Sequence, residues 1–315
     1  MTAITLNDIK TARDRIAPHI RRTPVIEANR LHDPLAQDAR VSLKLECLQV
    51  TGSFKPRGAV NKLLSLSEDQ MERGIITASG GNHGLAVAYT AWISKKPVTI
   101  YLSRNASPAK AEKVRQWGAR VVIEGEVWDD ANVAALALAE RDGLAYIHPF
   151  ADEQVVMGQG TVGLEILEDL PDVDTLLVAI GGGGLISGVA LAAKQIKPSI
   201  RIIGIEPVGA ATLKASLDAG KVIELPEITS RVATLAPRMS AQLNFDIIRQ
   251  NVDDIVLVSD EDMGRAARWL WFEMGIGAEL SGAAAVASLL CGQYQPRPGE
   301  HICALVCGAG TDGIA

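Results

Sequence analysis

The residues of this chain best suited to chemistry surround one lysine. Lys55 stands between an aromatic residue and a proline in the stretch TGSFKPRGAVN, residues 51–61. Lysine forms Schiff bases with carbonyl compounds, and a partly desolvated site lowers its pKa so that the neutral amine is available. The alternative is an ordinary loop lysine beside a Pro-Arg-Gly turn. This segment alone leaves both interpretations open.

Four consecutive glycines, Gly181 to Gly184, follow the apolar run TLLVAI. Glycine amides can approach a ligand closely, and the amino-terminal dipole of a following helix favours an anion. The run therefore predicts a phosphate cradle, and the alternative is a tight strand-to-helix turn that needs glycine for packing. A dinucleotide site also stays open. The spacing departs from the GxGxxG fingerprint, but Glu206 stands where a ribose-binding acid would follow the next strand.

A third segment, SGGNHG, combines small residues with hydrogen-bonding groups. Asn82 can donate to an oxygen, and Ser79 with the amides around Gly80 and Gly81 can hold a carboxylate. His83 is a candidate base, although a single loop histidine more often has a structural part. The segment therefore predicts a site for a small carboxylic acid.

Cys307 begins a fourth segment, CGAGTD, directly after the apolar run ICALV. Taken alone, it is most simply a buried core cysteine. Taken in order with the other three motifs, it completes a set that resembles the pyridoxal-phosphate enzymes of fold type II, the tryptophan-synthase-β group. Within that group the chain is similar to the serine/threonine dehydratases. The resemblance runs from RRTPV at 21–25 to CGAGTD and covers nearly the whole chain.

The resemblance implies pyridoxal 5′-phosphate as the cofactor and a role for each motif. Lys55 would hold the cofactor aldehyde as a Schiff base and remove the α-proton of the substrate. Cys307 would face the pyridine nitrogen and leave it neutral, a weaker electron sink that suits β-elimination. The implied cofactor-binding residues are Phe54, Lys55, Asn82, Gly181, Gly182, Gly183, Gly184, Leu185 and Cys307. The implied substrate-binding residues are Ser79, Gly80, Gly81, Asn82 and His83.

The implied reaction is dehydration and deamination of a 3-hydroxy L-amino acid, such as threonine or serine, to a 2-oxo acid and ammonia. Departures from the family pattern at 232–234 and in APRMSAQ leave 3-hydroxyaspartate or a bulkier 3-hydroxy amino acid open as the substrate. Serine racemases of the family carry a second serine where this chain has Gly80, so racemisation is the less favoured alternative. The chain ends soon after CGAGTD, which indicates a catabolic enzyme without a regulatory domain.

Many relatives bind a divalent cation through a glutamate, a backbone carbonyl and an acid six residues after the glutamate. Glu206 and Ala210 match the first two positions, whereas Thr212 stands at the third. A neutral ligand in place of an acid weakens a site for a hard cation. A Mg²⁺ or Ca²⁺ site at Glu206 and Ala210 is therefore a doubtful expectation.

Apolar strand-like segments alternate with helical ones along the chain. The strands are predicted at VTIYLS, ARVVIEG, TLLVAI, RIIGIE, DIVLVS and ICALVC. This alternation predicts an α/β fold with mostly parallel, twisted sheets flanked by helices. The resemblance implies two domains with the cofactor in the cleft between them. The small domain would span 47–146, and the large domain would consist of 1–46 and 147–315.

Composition narrows the classes of protein. The 315 residues are 48% hydrophobic and 22% charged, which is ordinary for a globular enzyme with a large core. The net charge of −6 argues against a nucleic-acid surface. The uncharged stretch 175–193 is nearly long enough to span a membrane, but its glycines favour a strand, a turn and a helix. We expect a cytoplasmic protein with reduced cysteines and, from the resemblance, a homodimer that acts on a small amino acid.

Overall fold

Two sheets and the helices around them form the fold. The computed structural model describes residues 4–104, 106 and 108–314. The strands in these residues are β1 (Val25–Glu27), β2 (Arg40–Lys44), β3 (Ile75–Ala78), β4 (Val98–Leu102), β5 (Arg120–Ile123), β6 (Ala145–Tyr146), β7 (Thr175–Ala179), β8 (Arg201–Pro207), β9 (Asp254–Val258) and β10 (His301–Leu305). The helices are α1 (Leu6–Ile16), α2 (Lys55–Leu64), α3 (Glu68–Arg73), α4 (Asn82–Ser94), α5 (Pro108–Gln116), α6 (Trp128–Asp142), α7 (Glu153–Asp169), α8 (Gly184–Ile196), α9 (Thr212–Ala219), α10 (Gln242–Asn251), α11 (Asp260–Met274) and α12 (Leu280–Leu290). Short 3-10 turns lie at Glu46–Leu48, Val50–Gly52, Val208–Ala210 and Ala233–Leu235.

The larger sheet has six strands in the order β1-β2-β10-β7-β8-β9. Only the short edge strand β1 runs antiparallel to its neighbour, and the other pairs in this sheet are parallel. The central strands β7 and β10 are buried at every position, as expected for a parallel sheet with helices on both faces. The predicted α/β class with mostly parallel sheets is confirmed.

The smaller sheet has four strands in the order β5-β4-β3-β6, and all its pairs are parallel. All four strands lie between residues 75 and 146. The proposed domain boundaries at 46/47 and 146/147 stay predictions, because two separate sheets do not by themselves define where one domain ends.

The six strands predicted from apolar runs are confirmed as β4, β5, β7, β8, β9 and β10. The uncharged stretch 175–193 forms β7, the glycine turn and most of α8. Among the described residues, no helix combines the length and the apolar character needed to cross a bilayer.

Helix α7 packs against α1, α2 and α8. Asp152 begins it by accepting hydrogen bonds from the amides of Gln154 and Val155 at 2.8 and 3.1 Å. Gly158 lets α2 approach closely, since a Cβ there would lie 2.4 Å from the carbonyl oxygen of Arg57. The close approach fixes α2, the helix that begins at the catalytic candidate lysine, against a rigid neighbour.

The strand order explains how distant motifs meet. Strand β10, the last in the chain, inserts between β2 and β7. The segment after β10 therefore lies beside the segment after β2, and the amide of Phe54 donates to the carbonyl of Cys307 at 3.2 Å. The amide of Ala309 donates to the carbonyl of Gly52 at 2.8 Å. In open parallel sheets, ligands bind outside the carboxyl ends of the strands, which is where these segments lie.

Candidate active site

One cavity of about 730 Å³ lies at the carboxyl ends of the central strands, between the two sheets. Its lining includes every residue that the resemblance assigned to cofactor or substrate: Phe54, Lys55, Ser79, Gly80, Gly81, Asn82, His83, Gly181, Gly182, Gly183, Gly184, Leu185 and Cys307. Four segments far apart in the sequence therefore converge on one space. The individual roles of these residues stay predictions.

Lys55 is the first residue of α2 and is partly buried at the cavity. Its Nζ donates a hydrogen bond to the carbonyl oxygen of Pro149 at 2.8 Å and lies 5.1 Å from the ring centre of Phe54. Desolvation lowers the pKa of Lys55 to about 8, although the nearby carboxylate of Glu279 opposes the change. A large neutral fraction of the amine is therefore present in mildly alkaline solution, as a nucleophile or base requires.

A cluster of four buried charged side chains holds the first turn of α2. Arg57 donates to Glu46 Oε2 at 2.8 Å and to Glu165 Oε1 at 2.7 Å. Lys44 donates to Glu165 Oε2 at 2.6 Å. None of these side chains is more than 5% exposed. This buried ion cluster joins β2, the turn after it, α2 and α7, and it fixes the helix two residues beyond Lys55.

The loop before Lys55 has a strained backbone. Thr51 adopts φ +64°, which is rare for a β-branched residue, and Gly52 follows at φ +86°. The hydrogen bond from Ala309 to the Gly52 carbonyl helps to keep the loop in this conformation. Strain of this kind persists only where the surroundings determine it, and it is common at functional sites.

The glycine run forms the turn between β7 and α8. Gly183 has φ +93°, a conformation that L side chains rarely adopt. A Cβ at Gly182 would lie 2.2 Å from the ring of Phe150, so this position requires glycine. The backbone amides at the start of the thirteen-residue helix α8 thus lie at the cavity without side chains in front of them. This donor set fits a phosphate.

A hydrogen-bond chain runs along the cavity from Asn82 to Cys307. Asn82 Nδ2 donates to Glu279 Oε1 at 2.7 Å, and Ser281 Oγ donates to the same oxygen. Cys307 Sγ donates to the carbonyl of Ser281 at 3.4 Å. Burial raises the pKa of Cys307, so the group stays a neutral thiol.

Glu279 is a cavity residue that the sequence did not predict. Its hydrogen bond to Asn82 joins positions 197 residues apart, and no local motif contains both. The one signal is an acid among small residues in GAELSG, directly before α12. An acid in such a setting is uncommon in a core, but the sequence does not indicate what it contacts.

His83 lies in the buried first turn of α4 and has a structural contact. Its Nε2 donates to the carbonyl of Ile147 at 2.9 Å. Burial and then the charge of Lys55 lower the pKa of His83 to about 3. The imidazole is therefore neutral over the working range of most enzymes.

The segment HPF, which begins at His148, was also missed from the sequence. His148 Nδ1 accepts from the amides of Phe150 and Ala151 at 3.2 and 2.8 Å, and its ring packs edge-on against Phe150 at 4.6 Å. Burial, together with the charge of Lys55, lowers the pKa of His148 to about 4. This local turn presents the Pro149 carbonyl to Lys55 and the Phe150 ring to the glycine run.

The residues considered for a cation do not fit such a site. The carboxylate of Glu206 accepts from the amides of Leu213 and Lys214 at 2.8 and 2.9 Å, at the start of α9. Burial raises the pKa of Glu206 to about 7. Thr212 Oγ1 donates to the carbonyl of Pro237 at 2.7 Å. Across the described residues, no group of three or more histidine, cysteine or acidic side chains could hold a metal ion.

A second cleft of about 720 Å³ lies at the opposite ends of β2 and β10. Its cations already have partners: Arg22 pairs with Glu168 and Asp169, and Arg40 pairs with Asp172. The cleft does not bring together a nucleophile, a desolvated base and an anion cradle, as the first cavity does.

Comparisons with known proteins agree with this geometry. The sequence profile described as pyridoxal-phosphate dependent enzyme matches residues 16–308. An L-threonine ammonia-lyase of Thermotoga maritima is 40% identical over 287 residues, which are 91% of this chain and 71% of the relative. A serine racemase of Oryza sativa subsp. indica is 36% identical over 304 residues, 95% of this chain and 87% of the relative. The structure of maize serine racemase matches with a TM-score of 0.91 at 35% identity and covers 98% of this chain and 94% of that chain.

The profile match extends from the last residue of α1 to Gly308, so it includes three of the motifs and the first two residues of the fourth. It decides between the two ligands considered for the glycine run, because the cofactor of this family is pyridoxal phosphate rather than a dinucleotide. The chain belongs to the family of pyridoxal-phosphate dependent enzymes.

Proposed function

We propose that this protein catalyses the pyridoxal-phosphate-dependent dehydration and deamination of a 3-hydroxy L-amino acid, such as threonine or serine, to a 2-oxo acid and ammonia. One observation carries the proposal: a lysine with a lowered pKa shares a cavity with a glycine-lined helix start and a loop that suits a carboxylate. The similarity to an L-threonine ammonia-lyase over 91% of the chain supports the same reaction.

The residues around the cavity fit the cofactor. Lys55 would hold it covalently, and the amides of Gly181 to Gly184 would bind its phosphate at the start of α8. Asn82 would donate to the ring hydroxyl, and Cys307 would face the ring nitrogen. When bound, pyridoxal phosphate supplies an aldehyde that reacts with amines and a ring that delocalises negative charge from the substrate Cα.

The chain's own residues account for substrate binding and proton transfer. The amides around Gly80 and Gly81, with Ser79, would bind the substrate carboxylate. The neutral amine of Lys55 is the group that accepts the α-proton, because its pKa of about 8 lies near neutral pH. Because the thiol of Cys307 is neutral, it does not protonate the ring nitrogen, and loss of the β-hydroxyl competes well with other outcomes.

Racemisation is the competing reaction, since several relatives are serine racemases. It requires a proton donor on the face of the substrate opposite Lys55. Gly80 offers none, and the side-chain atoms nearest to its missing Cβ are hydrocarbon, Ala106 Cβ at 3.5 Å and Leu102 Cδ2 at 3.6 Å. General acid–base catalysis is worth about 10²–10⁴-fold, so we expect elimination to exceed racemisation by a similar factor.

The proposal is tested with purified protein reconstituted with pyridoxal phosphate. We expect a visible absorption band from the bound cofactor and release of 2-oxo acid and ammonia from L-threonine or L-serine, with only traces of the D-isomer on chiral chromatography. Lack of cofactor uptake, or a D-isomer that forms as fast as the 2-oxo acid, would contradict the proposal.

We also propose that the protein acts as a homodimer in the cytoplasm. The four cysteines are all free thiols, which fits a reducing compartment. Exposed aromatic residues on α11, Trp271 and Phe272 at 38% and 78%, are candidates for a contact between copies. Sedimentation of the wild-type protein and of Phe272→Ser tests the dimer, and a monomeric wild-type protein would refute it.

A further inference from the structure

The substrate-binding loop has an apolar wall beside it. This wall consists of Tyr101, Leu102, Ala106 and Trp128, all of which line the cavity. Trp128 is oriented by a hydrogen bond from its Nε1 to the carbonyl of Ala78 at 2.8 Å, directly before the loop that begins at Ser79. Two residues of the wall, Ala106 and Leu102, lie 3.5 and 3.6 Å from the position of a Cβ at Gly80, in the loop that would bind the substrate carboxylate.

The segment around Thr234 lines the same cavity. A Cβ added at Gly81 would lie 3.8 Å from Thr234 Cγ2. A Cβ added at Gly181 would lie 2.9 Å from the carbonyl oxygen of Thr234. Ile228 and Leu235 line the cavity next to it. A substrate held by its amine near Lys55 and by its carboxylate at the loop would have its side chain beside these lining residues.

The charges around this space argue against a second carboxylate on the substrate. The cationic groups among the described lining residues are Lys55, which the reaction uses, and His83, which its pKa of about 3 keeps neutral. Arg104 stands near the wall in the sequence, but it pairs with Glu126 at 2.8 Å and does not line the cavity. Among the described lining residues, a second carboxylate would find no positive charge other than Lys55 to offset its desolvation, which is costly.

We propose that the preferred substrate carries an uncharged side chain larger than that of threonine, an aryl or branched alkyl group on the hydroxyl-bearing Cβ, and that Trp128 and Tyr101 bind it. This inference rests on the proposed dehydratase function. The cavity volume of about 730 Å³ lies in the upper part of the range that holds drug-sized ligands, about 300–1,000 Å³, so it admits such a group beside the cofactor.

The test compares kcat/KM of the holoenzyme for L-threonine, L-threo-3-phenylserine, L-threo-3-hydroxyleucine and 3-hydroxyaspartate, with 2-oxo acid release as the readout. We expect phenylserine or hydroxyleucine to exceed threonine by about 10–100-fold, the range that burial of a large apolar group supports. A wild-type enzyme that prefers threonine or 3-hydroxyaspartate would overturn the inference and leave the proposed function intact. Turnover of none of the four would overturn both.

The wall itself is tested with Trp128→Ala, which should lower kcat/KM for phenylserine about 10-fold or more and change that for threonine less than about threefold. Trp128→Phe keeps an aromatic face but loses the hydrogen bond to Ala78, and it should retain the preference for phenylserine. Trp92→Ala is the matched control, because Trp92 is 53% exposed and lies outside the cavity. Equal losses for both substrates in Trp128→Ala would show that the tryptophan does not select the side chain.

Discussion

Two lysines, eleven positions apart, show how their surroundings determine what the same side chain does. Lys44 is fully buried and donates to the carboxylate of Glu165 at 2.6 Å and to the Thr23 carbonyl at 2.8 Å. Lys55 donates to a neutral acceptor, the carbonyl of Pro149, and its pKa falls to about 8. The first lysine belongs to the ion cluster that holds the fold, and the second has the properties of a nucleophile.

The two lysines are mechanically linked although their roles differ. Arg57 binds the same carboxylate as Lys44 and is two residues from Lys55 on α2. Burial opposes the charge of Arg57, but Glu46 and Glu165 together raise its pKa, so the guanidinium of Arg57 stays charged. The charges of the ion cluster therefore lie next to the candidate active site. The amine of Lys55 donates instead to the neutral carbonyl of Pro149.

The largest expected effect separates the lysines by activity. Lys55→Ala should lower kcat by several orders of magnitude, because it removes both the covalent attachment and the α-proton base. Lys62→Ala, on the same helix and paired with Asp152 at the surface, is the control and should stay within a fewfold of wild type. Activity of Lys55→Ala within tenfold of wild type would show that another lysine is catalytic.

The second effect distinguishes Lys44 from Lys55 by its contribution to the stability of the fold. Lys44→Met should lower the free energy of unfolding by about 3–5 kcal/mol, since it removes one partner from a buried ionic network. Lys96→Met breaks an exposed pair with Glu68 and should shift the urea midpoint far less. Urea unfolding of the wild type, Lys44→Met and Lys96→Met measures the midpoints that test this difference. An unchanged midpoint in Lys44→Met would mean that the cluster does not stabilise the fold.

The third effect is a gain in stability, the opposite of the loss expected for Lys44→Met. Because the pKa of Lys55 is lowered from 10.5 to about 8 in the fold, the unfolded chain binds more protons between those values, and stability rises with pH across that window. Below pH about 8 the full penalty of the buried charge is present. Lys55→Met should therefore stabilise the cofactor-free protein by about 1–3 kcal/mol at pH 7, with the gain vanishing above pH about 10.5. A destabilised Lys55→Met protein at pH 7 would contradict the assigned pKa.

The smallest effect concerns the cofactor cradle. Gly183 and Gly220 both have positive φ, but only Gly183 lines the cavity, and a Cβ there would lie 3.0 Å from Leu213 Cδ1. Gly183→Ala and Gly220→Ala should each lose about 1 kcal/mol of stability from backbone strain. Only Gly183→Ala should also weaken pyridoxal-phosphate binding, by about tenfold, as measured by fluorescence titration. Equal affinities in the two variants would place the phosphate elsewhere.

The sequence predicts what depends on local patterns. Apolar runs indicated strands such as β7 and β10, since buried parallel strands are apolar throughout. The glycine run and Lys55 were identified as site residues because their motifs occur in order with the other two motifs of the family. Four strands were missed: β1, β2, β3 and β6. Strands β1 and β6 have only three and two residues and depend on their neighbours, and β2 and β3 have five and four.

Other site residues could not be predicted because their contacts are long-range or depend on a local turn. Glu279 acquires its place only when α12 is brought beside Asn82 by the inserted strand β10. Pro149 matters through its carbonyl, which any residue carries. Glu206 fits a metal or ribose ligand by spacing, yet its oxygens accept amides at the start of α9.

The most direct test of the comparison asks which lysine reacts with the cofactor. The protein is incubated with pyridoxal phosphate, the covalent link is reduced with borohydride, and the digested protein is mapped by mass spectrometry. We expect the pyridoxyl group on the peptide that contains Lys55 and unmodified Lys44. A label on Lys44 or on another lysine, with Lys55 unmodified, would contradict the account.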